Sequence, residues 1–282
     1  MWCMKKRVAI QGFHGSFHEE AAYKFYREHG TQELEIVECA TFEAMFTALE
    51  EGRADALIIA VENTTSGGLL ANFDLLRRYG KTVKGEVYLH IHQNLMAIKG
   101  QKLEDIREVR THFMAINQTR QFFESCPWIK VIESEDTAKS AAELAQSGQL
   151  GVGAVASAMA AECFGLEILR PNIETFSDNF TRFLIVDDAI SCQGPGTNKS
   201  SICFTLPHKP GSLAQILTIL SFYDMNLSRI QSLPIPGKKW HYFFYVDITY
   251  ADYGRYQQAL AAVKPLVEGL DIMGEYYSQI NI

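Results

Sequence analysis

Long apolar runs, basic clusters and paired cysteines are all missing from this 282-residue sequence. No segment approaches the roughly 20 consecutive apolar residues of a membrane-spanning helix, and the run from Val8 to Ile10 is too short for the core of a secretory signal. No basic run is longer than Lys5-Lys6-Arg7 and the net charge is −7, which excludes a typical nucleic-acid-binding surface. We therefore expect a cytoplasmic protein that binds neither membranes nor nucleic acid.

Metal and disulfide frameworks are not expected either. The six cysteines are scattered and include no Cys-x-x-Cys pair. His90 and His92 fall on one face of a predicted strand, and His14 and His18 are four residues apart, but neither pair has a third ligand in the sequence. We expect reduced thiols, hydrogen-bonded structural histidines, and no metal or cofactor. The cysteines are Cys3, Cys39, Cys126, Cys163, Cys192 and Cys203.

Apolar periodicity alternates between strands and helices over residues 1–190, which predicts an α/β fold. The pattern starts again at Val109, so two α/β lobes are expected. Ser16 to Glu19 has the form of a capping box at the start of a helix. Predicted strands are Arg7–Ile10, Val87–His92, Ile129–Glu133, Leu150–Val155 and Phe183–Val186, and predicted helices are Phe17–His29, Phe42–Leu49, Leu69–Tyr79, a helix through Ile116 and Phe123, and one that begins at Asp136.

Residues 191–200 are rich in glycine and polar side chains and lack an apolar period, which predicts a linker. The following segment, residues 201–282, predicts the order strand, helix, strand, strand, helix, strand, which is the ferredoxin-like βαββαβ pattern. We therefore expect a domain of residues 1–190 and a second of residues 201–282. Its predicted elements are Ile202–Leu206, a helix after Pro210, Leu227–Leu233, Tyr242–Ile248, Tyr256–Val267 and Ile272–Ile280.

Two polar segments stand at predicted strand ends. Val61–Gly68 ends a buried run with a carboxylate, an amide, hydroxyls and two glycines, and Asn179–Phe183 places Thr181 and Arg182 at the start of an apolar strand. Small polar side chains in such places are typical of sites for small anions in open α/β sheets. A polar turn after a buried strand explains either segment alone. Only the two together indicate a functional site.

These segments resemble the two signature motifs of prephenate dehydratases, and three more elements of that family follow in the right order. Gln11–Phe17 resembles Gly-Pro-x-Gly-Thr-Phe-Ser, with Phe13 for the proline and Ser16 for the threonine. Thr111–Gln118 resembles Ser-His-Pro-Gln-Ala-Leu-x-Gln but lacks its proline and first glutamine. Asp136–Ala142 matches Asp-Thr-Ala-x-x-Ala-Ala. The C-terminal pattern resembles the ACT domain, an amino-acid-sensing module.

The resemblance implies a monofunctional enzyme whose two catalytic lobes pack as in type 2 periplasmic binding proteins, with the substrate between them. It implies conversion of prephenate to phenylpyruvate with loss of water and carbon dioxide, a carbon–oxygen lyase step of L-phenylalanine biosynthesis that needs no cofactor or metal. The sequence opens on the first predicted strand, so no chorismate mutase domain is expected before it.

By resemblance, Thr181 is the candidate catalytic residue, donating a hydrogen bond to the departing hydroxyl. A strand threonine bonded to backbone is the alternative. Neutral donors can hold the substrate's carboxylates and carbonyl without tight ion pairs. The expected donors are Asn63, Thr64, Ser66, Thr111 and Gln118.

Charged and aromatic residues of the same motifs have less certain roles. Arg182 is the cation that we place nearest the substrate, although it could instead pair with a structural carboxylate such as Asp178 or Glu174. Glu62 is expected to position Asn63 or Arg182, since an ionised carboxylate repels an anionic ligand. His112 orders a turn or contacts substrate. Phe180 and Phe183 form either a dry wall of the site or plain core.

The C-terminal segment carries a candidate effector motif. Gly211-Ser212-Leu213 resembles the Gly-Ala-Leu element with which relatives bind phenylalanine at a subunit interface. Gln231 and Ser232 stand in the companion element, where Gln231-Ser232-Leu233-Pro234 replaces Glu-Ser-Arg-Pro and so lacks a carboxylate and a guanidinium. We expect feedback regulation by phenylalanine, with altered response possible, in a homodimer or homotetramer.

Two rival functions stay open at this point. Arogenate dehydratase acts on the amino analogue of prephenate and shares every motif named above. A two-lobed amino-acid or keto-acid sensor without catalysis is the other rival. It would require loss of the hydroxyl at position 181, and Thr181 is present.

Overall fold

The computed structural model describes residues 5–31 and 33–279, which divide into two compact units. Unit 1 comprises Met1–Leu69 and Val87–Phe183, and unit 2 comprises Leu70–Glu86 and Leu184–Ile282. Cys3 and Ile280, which the sequence analysis named, lie outside the described residues. Within the described ranges, no helix has both the length and the apolarity that a membrane crossing requires.

Unit 1 is built on two sheets. The first has the strand order β2-β1-β3-β11-β5, with the short β4 paired to β3, and β1 is parallel to both of its neighbours. β5 and β11 each have residues in both units. The elements of this part are β1 (Lys6–Gln11), α1 (Phe17–Glu28), β2 (Leu34–Cys39), α2 (Phe42–Glu50), β3 (Ala56–Asn63), β4 (Gly67–Gly68), α3 (Leu70–Arg78, in unit 2), β5 (Gly85–His90) and β11 (Phe180–Asp187).

The second sheet of unit 1 has the order β10-β6-β9-β7-β8. One apolar cluster includes Leu95, Val109 and Val155, and another includes Met96, Ala154 and Leu144, so side chains that alternate along the strands fill two separate cores. The elements are β6 (Asn94–Ala97), β7 (Glu108–His112), α4 (Phe113–Gln118), α5 (Arg120–Glu124), β8 (Lys130–Ser134), α6 (Thr137–Ser147), β9 (Val152–Ala156), α7 (Ala158–Phe164) and β10 (Glu167–Arg170).

Unit 2 contains a four-stranded antiparallel sheet of order β13-β14-β12-β15. Its chain order is strand, helix, strand, strand, helix, strand, so the predicted βαββαβ sequence of elements is confirmed. Its apolar core lies beneath two helices and includes Ile202, Phe204, Val246, Leu220 and Tyr256. The elements are β12 (Lys199–Thr205), α8 (Ser212–Phe222), β13 (Asn226–Pro234), β14 (Tyr242–Thr249), α9 (Tyr253–Val263) and β15 (Leu270–Tyr276).

The other face of this sheet is covered by α3. The Arg229 guanidinium lies 3.7 Å from the centre of the Phe73 ring, and the rings of Phe73 and Tyr245 are 5.9 Å apart. Lys199 and Glu86 form a buried ion pair at 2.9 Å. These contacts explain why Leu70–Glu86 belongs to unit 2 although the sequence analysis assigned it to residues 1–190. The expected domain boundaries themselves stay a prediction.

The predicted α/β alternation is confirmed, with local differences. The single helix expected through Ile116 and Phe123 is two helices, because Thr119 leaves helical geometry at φ −109° and its hydroxyl donates to the Ala115 carbonyl. β12 begins at Lys199, so the last two residues of the predicted linker belong to a strand. The described cysteines, at positions 39, 126, 163, 192 and 203, are free thiols.

Candidate active site

The two polar segments meet at one edge of the first sheet. β3 and β11 are neighbours in that sheet, and the Thr64 amide donates to the Phe180 carbonyl at 2.9 Å. β3 is buried because residues 56–61 are apolar and at most 4% exposed, so its polar end, Glu62 and Asn63, is held in a fixed place. The sequence analysis predicted that the segments act together, and the fold places them in contact.

Asn63 is the centre of this contact. Its Oδ1 accepts from the backbone amides of Thr65 and Ser66, at 3.0 and 2.8 Å. Since an amide oxygen must face those donors, Nδ2 faces the other way, where it donates to Asn179 Oδ1 at 2.8 Å and to Thr181 Oγ1 at 3.0 Å. Asn63 is 8% exposed, and its expected contact with substrate stays a prediction.

Thr181 receives a hydrogen bond and gives none within the described residues. Its Oγ1 accepts from Asn63, and the hydroxyl proton points to no acceptor of the described chain. The alternative that Thr181 is bonded to backbone is therefore not what the geometry shows. A hydroxyl polarised by an amide donor can give its own proton to a third group. No basic side chain of the described residues is bonded to Thr181, so it lacks the partner that would turn it into a nucleophile.

The Ser66 hydroxyl and the side-chain amide of Gln118 complete this edge of the first sheet. Gln118, the last residue of α4, donates from Nε2 to Thr65 Oγ1 and to Ser66 Oγ, both at 3.3 Å. These bonds are long for N–H donors, so a ligand can displace them. The Ser66 hydroxyl retains its proton for an acceptor outside the described chain. Ser66 and Gln118 thus lie where the sequence analysis expected them, beside Thr181's partner Asn63.

Glu62 and Arg182 lie on the opposite face. Neighbouring residues of a strand point to opposite sides, so the face that pairs Asn63 with Thr181 excludes Glu62 and Arg182. Those two pair with each other instead, with Arg182 Nη1 3.9 Å from Glu62 Oε2. Arg182 is 2% exposed, and its placement as the cation nearest the substrate stays a prediction. Glu174 accepts from His92 Nδ1 and the Gln93 amide.

Two of the expected donors are already used within the fold. The Thr64 hydroxyl donates to the Asp178 carbonyl at 2.7 Å and accepts from the Phe180 amide, so it fastens the second motif to the first. The Thr111 hydroxyl is fully buried and donates to the Val155 carbonyl at 2.7 Å. In this structure the Thr111 hydroxyl thus has a structural contact, and its predicted role in substrate binding stays a prediction.

The remaining motif residues resolve the alternatives left open by the sequence. His112 is the N-cap of α4 and its Nδ1 accepts from the Met114 amide at 3.4 Å, which is the turn-ordering role. Phe183 is 1% exposed and lies edge-on to His18, with ring centres 5.0 Å apart, so it is core and not a substrate contact. Phe180 is half-buried and stacks on His90 with ring centres 4.4 Å apart.

Glycines bring the N-terminal motif against the second lobe. A Cβ on Gly15 would lie 2.9 Å from Ala160 Cα, and one on Gly12 would lie 3.3 Å from Asp136 Oδ2. Burial raises the pKa of Asp136, which caps α6. The expected capping box is only half formed, because Ser16 accepts from the Glu19 amide while the Glu19 carboxylate accepts from Gly15 instead of Ser16.

Sequence reasoning missed two members of the cluster, Thr65 and Asn179. Thr65 Oγ1 donates to Asn63 Oδ1 at 2.8 Å, and Asn179 Oδ1 accepts from Asn63. Asn179 is 1% exposed. Both stand within the quoted motifs, and the available signal was a polar side chain next to a strand end, since Asn179 directly precedes β11 and Thr65 follows β3. No group of three His, Cys, Asp or Glu side chains suited to a metal ion occurs in residues 5–31 and 33–279.

The candidate effector residues lie in unit 2. Gly211 is the N-cap of α8 at φ +82°, a conformation that favours glycine, and Ser212 begins the helix. Leu213 packs against the core of the unit. Gln231 accepts a hydrogen bond from Arg229, and Ser232 is exposed on β13.

Comparison with known proteins decides the family. The family model described as prephenate dehydratase matches residues 8–190, which is more than half of the chain. This chain belongs to the prephenate dehydratase family. It is 34% identical over 96% of its length, and 72% of the other protein, to arogenate dehydratase/prephenate dehydratase 1, chloroplastic, of Arabidopsis thaliana. It is 33% identical over 96% of its length, and 74% of the other, to the bifunctional chorismate mutase/prephenate dehydratase of Aquifex aeolicus.

Solved structures of similar proteins share the fold of this dehydratase-family chain. Prephenate dehydratase from Arthrobacter aurescens, in complex with L-Phe, is 26% identical with a TM-score of 0.84 and covers 98% of this chain and 92% of its own. A protein described as GqqA, a novel type of quorum quenching acylase, is 28% identical with a TM-score of 0.86 and covers 97% of this chain and 99% of its own. The family is therefore fixed, while its members differ in named activity.

Proposed function

We propose that this protein is a prephenate dehydratase that forms phenylpyruvate, with Thr181 as the catalytic hydroxyl. The observation that carries the proposal is the contact between Asn63 Nδ2 and Thr181 Oγ1 at 3.0 Å, which makes the hydroxyl an acceptor on one side and leaves its proton free on the other. Membership of the family supports the reaction class.

The reaction needs a hydrogen-bond donor at one place. The ring hydroxyl of prephenate leaves as water after taking a proton, while the bond to the ring carboxylate breaks and its electron pair completes the aromatic ring as carbon dioxide departs. Thr181 donates to the leaving oxygen as charge develops there. A positioned donor of this kind accelerates a reaction by about 10²–10⁴-fold.

Neutral groups hold the substrate in this proposal. The Ser66 hydroxyl and the Gln118 amide lie beside the same loop and can exchange their long mutual contact for a carboxylate or a keto oxygen. Asn63 acts as a positioning residue, since its amide is hydrogen-bonded to five residues of the loop and the second motif. Glu62 and Arg182 stabilise the strand ends from the opposite face.

Arogenate is the second candidate substrate, because proteins named arogenate dehydratases are as similar to this chain as the bifunctional enzymes are. An ammonium in place of the keto group needs acceptors at that end of the ligand. Ser66 and Gln118 can present hydroxyl or amide oxygens as well as protons. The two substrates therefore have to be compared directly.

Acyl transfer, the activity in the name of the quorum quenching relative, has less support in this chain. Attack by a hydroxyl on an acyl group requires a base that removes its proton. The only described partner of the Thr181 hydroxyl is the Asn63 amide, which is a donor. A sensor without catalysis has no support from the cluster either, because the Thr181 hydroxyl donates to no acceptor of the described residues and stays available as a donor.

Phenylalanine is proposed as an allosteric effector bound by unit 2, acting in a homodimer or homotetramer. The solved relative in complex with L-Phe and the Gly211-Ser212-Leu213 element support this proposal. The bond from Arg229 to Gln231 occupies the residue that replaces the usual glutamate, so the response is expected to differ from that of relatives.

The test is turnover of prephenate and of arogenate by the purified protein, with and without phenylalanine. Wild type is expected to form phenylpyruvate, and Thr181→Val is expected to lower kcat by about 10²–10⁴-fold. Thr181→Ser is the matched control, because it keeps the hydroxyl and should retain most of the activity.

The outcomes distinguish between the candidate functions. Preference for arogenate assigns the sister activity with the same catalytic hydroxyl. Full activity of Thr181→Val would show that the hydroxyl is not the donor. A wild-type protein that turns over neither compound, although both bind, would leave the sensor as the correct function.

A further inference from the structure

A cavity of about 260 Å³ lies in unit 2, apart from the candidate effector motif. It is lined by residues of β12, the connection between β13 and β14, and the chain that leads into β15, and it includes none of Gly211, Ser212, Leu213, Gln231 or Ser232. Sites for drug-sized ligands are typically about 300–1,000 Å³, so this cavity suits a small molecule.

Charged side chains of both signs and one histidine line this cavity. Lys238 and His241 line it from the β13–β14 connection, and Glu268 and Asp271 line it from the start of β15. In the described part of the chain, the side chains of Lys238, Glu268 and Asp271 form no hydrogen bond or ion pair, and His241 is bonded only through Nδ1, to the Lys239 carbonyl.

The sheet order keeps the two signs apart. β12 lies between β14 and β15, so Lys238 and the two carboxylates stand on opposite sides of one strand, with backbones roughly 10 Å apart. Lys238 and the two carboxylates are exposed and do not close on each other. A molecule that carries an ammonium and a carboxylate can face both sets at once, which a simple anion or cation cannot do.

The space between the charges has apolar walls. Ile235 and Phe243 line it, and the Arg77 guanidinium lies 3.9 Å from the centre of the Phe243 ring, which holds that ring in place from outside the cavity. Cys203 also lines it, and burial raises the pKa of this thiol to about 12, so the wall there is uncharged at neutral pH. An apolar body with two opposite charges fits such a lining.

We infer that this cavity binds a small zwitterion with an apolar or aromatic body, at a site separate from the effector motif. The ligand's carboxylate faces Lys238, and its ammonium faces Glu268 and Asp271. The inference stands on unit 2 alone and does not depend on the proposed catalytic function.

Methyl NMR of the full-length protein, labelled at isoleucine δ1 groups, gives a readout inside the cavity. Ile235 lines the cavity, while Ile216 lies in α8, which begins at the effector motif. The Ile235 signal is assigned with Ile235→Val. L-phenylalanine and L-leucine are the probes, and 3-phenylpropionate and phenethylamine are matched compounds that each lack one of the two charges.

Both amino acids are expected to shift the Ile235 signal, with binding at least about tenfold weaker for each compound that lacks a charge. Lys238→Met and Asp271→Asn should weaken the amino acids by a similar factor. Lys239→Met is the control, because this lysine is adjacent in sequence and does not line the cavity.

The inference fails if Ile235 does not respond to either amino acid at millimolar concentration, even where Ile216 does. It also fails if the singly charged compounds bind equally well, or if Lys238→Met and Asp271→Asn bind as wild type does. Loss of activity in the dehydratase assay would not bear on any of these results.

Discussion

Two polar clusters of this protein differ in the chemistry of their side chains. The cluster around Asn63 in unit 1 consists of amides and hydroxyls, namely Asn63, Thr65, Asn179 and Thr181. The cluster between α3 and the sheet of unit 2 consists of charges and aromatic rings. There, Arg77 donates to Asp74 at 2.7 Å and to the Tyr245 hydroxyl at 3.2 Å, while Tyr245 donates to Asp74 at 3.1 Å.

The two clusters differ in whether their hydrogen-bonding groups all have partners among the described residues. In unit 2 the named groups satisfy one another, so their hydrogen bonds stabilise the packing of α3 on the sheet. In unit 1 the Thr181 proton has no described acceptor, and the bonds from Gln118 are long. Burial of neutral dipoles costs far less than burial of unpaired charges, so a site can keep such a group available. We therefore expect the cluster of unit 1 to act in catalysis and the cluster of unit 2 to stabilise the fold.

The largest effect on stability is expected from a buried ion pair of unit 2. Lys199 and Glu86 are 1% and 2% exposed at their side chains, and their ion pair measures 2.9 Å. Lys199→Met removes the cation of a buried ion pair and should lower the free energy of unfolding by about 3–5 kcal/mol. Denaturation in urea measures the loss. The double variant Lys199→Met, Glu86→Leu should recover most of it, and a single variant as stable as wild type would contradict the argument.

A substitution in the neutral cluster around Asn63 should change kcat more than KM. Asn63→Ala removes the donor to Thr181 and the acceptor of two loop amides, so we expect kcat to fall by about 10²-fold with a smaller change in KM. Steady-state kinetics with prephenate gives both values. Thr64→Val is the matched control, since its hydroxyl only fastens backbone and its loss should reduce stability without a comparable fall in kcat.

The sequence predicted the features that depend on residues close together in the chain. Apolar periodicity predicted most of the strands and helices, and the caps Ser16, Thr41 and Asp136 are in place. Alternation along a strand could also have separated Thr181 from Arg182, since adjacent residues point to opposite faces. The resemblance assigns both residues to the substrate because they stand side by side in one motif.

Contacts between distant segments could not be predicted in this way. Nothing in the periodicity of α3 tells that Phe73 lies against Arg229, because that contact joins residues far apart in the chain. The use of Thr64 and Thr111 to bind carbonyls was hidden for the same reason. A hydroxyl in a motif is equally able to serve a substrate or a backbone oxygen, and only the fold decides.

The stability of unit 1 is expected to depend on pH through His18. Burial lowers the pKa of His18 to about 3, and its ring contacts Phe183 of the second motif. The unfolded chain takes up a proton near pH 6.5 and the folded protein does not, so this contribution to stability is present above pH 6.5 and is lost as the pH falls towards 3.

Because the residue is half-buried, we expect unfolding to become easier by about 1–2 kcal/mol between pH 7 and pH 5 from this group. Urea denaturation at the two pH values measures the change. His18→Gln should be less stable at pH 7 but should lose less on acidification. An equal loss in the two proteins would assign the pH dependence to other groups.

The smallest effect is expected from Tyr245→Phe, which tests whether the cluster of unit 2 is saturated. Burial raises the pKa of the Tyr245 hydroxyl, so it stays protonated and keeps donating to Asp74 through the alkaline range used for assays. Its removal should lower the free energy of unfolding by only about 1 kcal/mol, because Arg77 and Asp74 still pair with each other. Urea denaturation measures the change, and basal kcat should equal that of wild type. A loss of several kcal/mol would mean that Arg77 and Asp74 depend on the hydroxyl for their geometry, and a fall in kcat would mean that the two clusters are not separate in function.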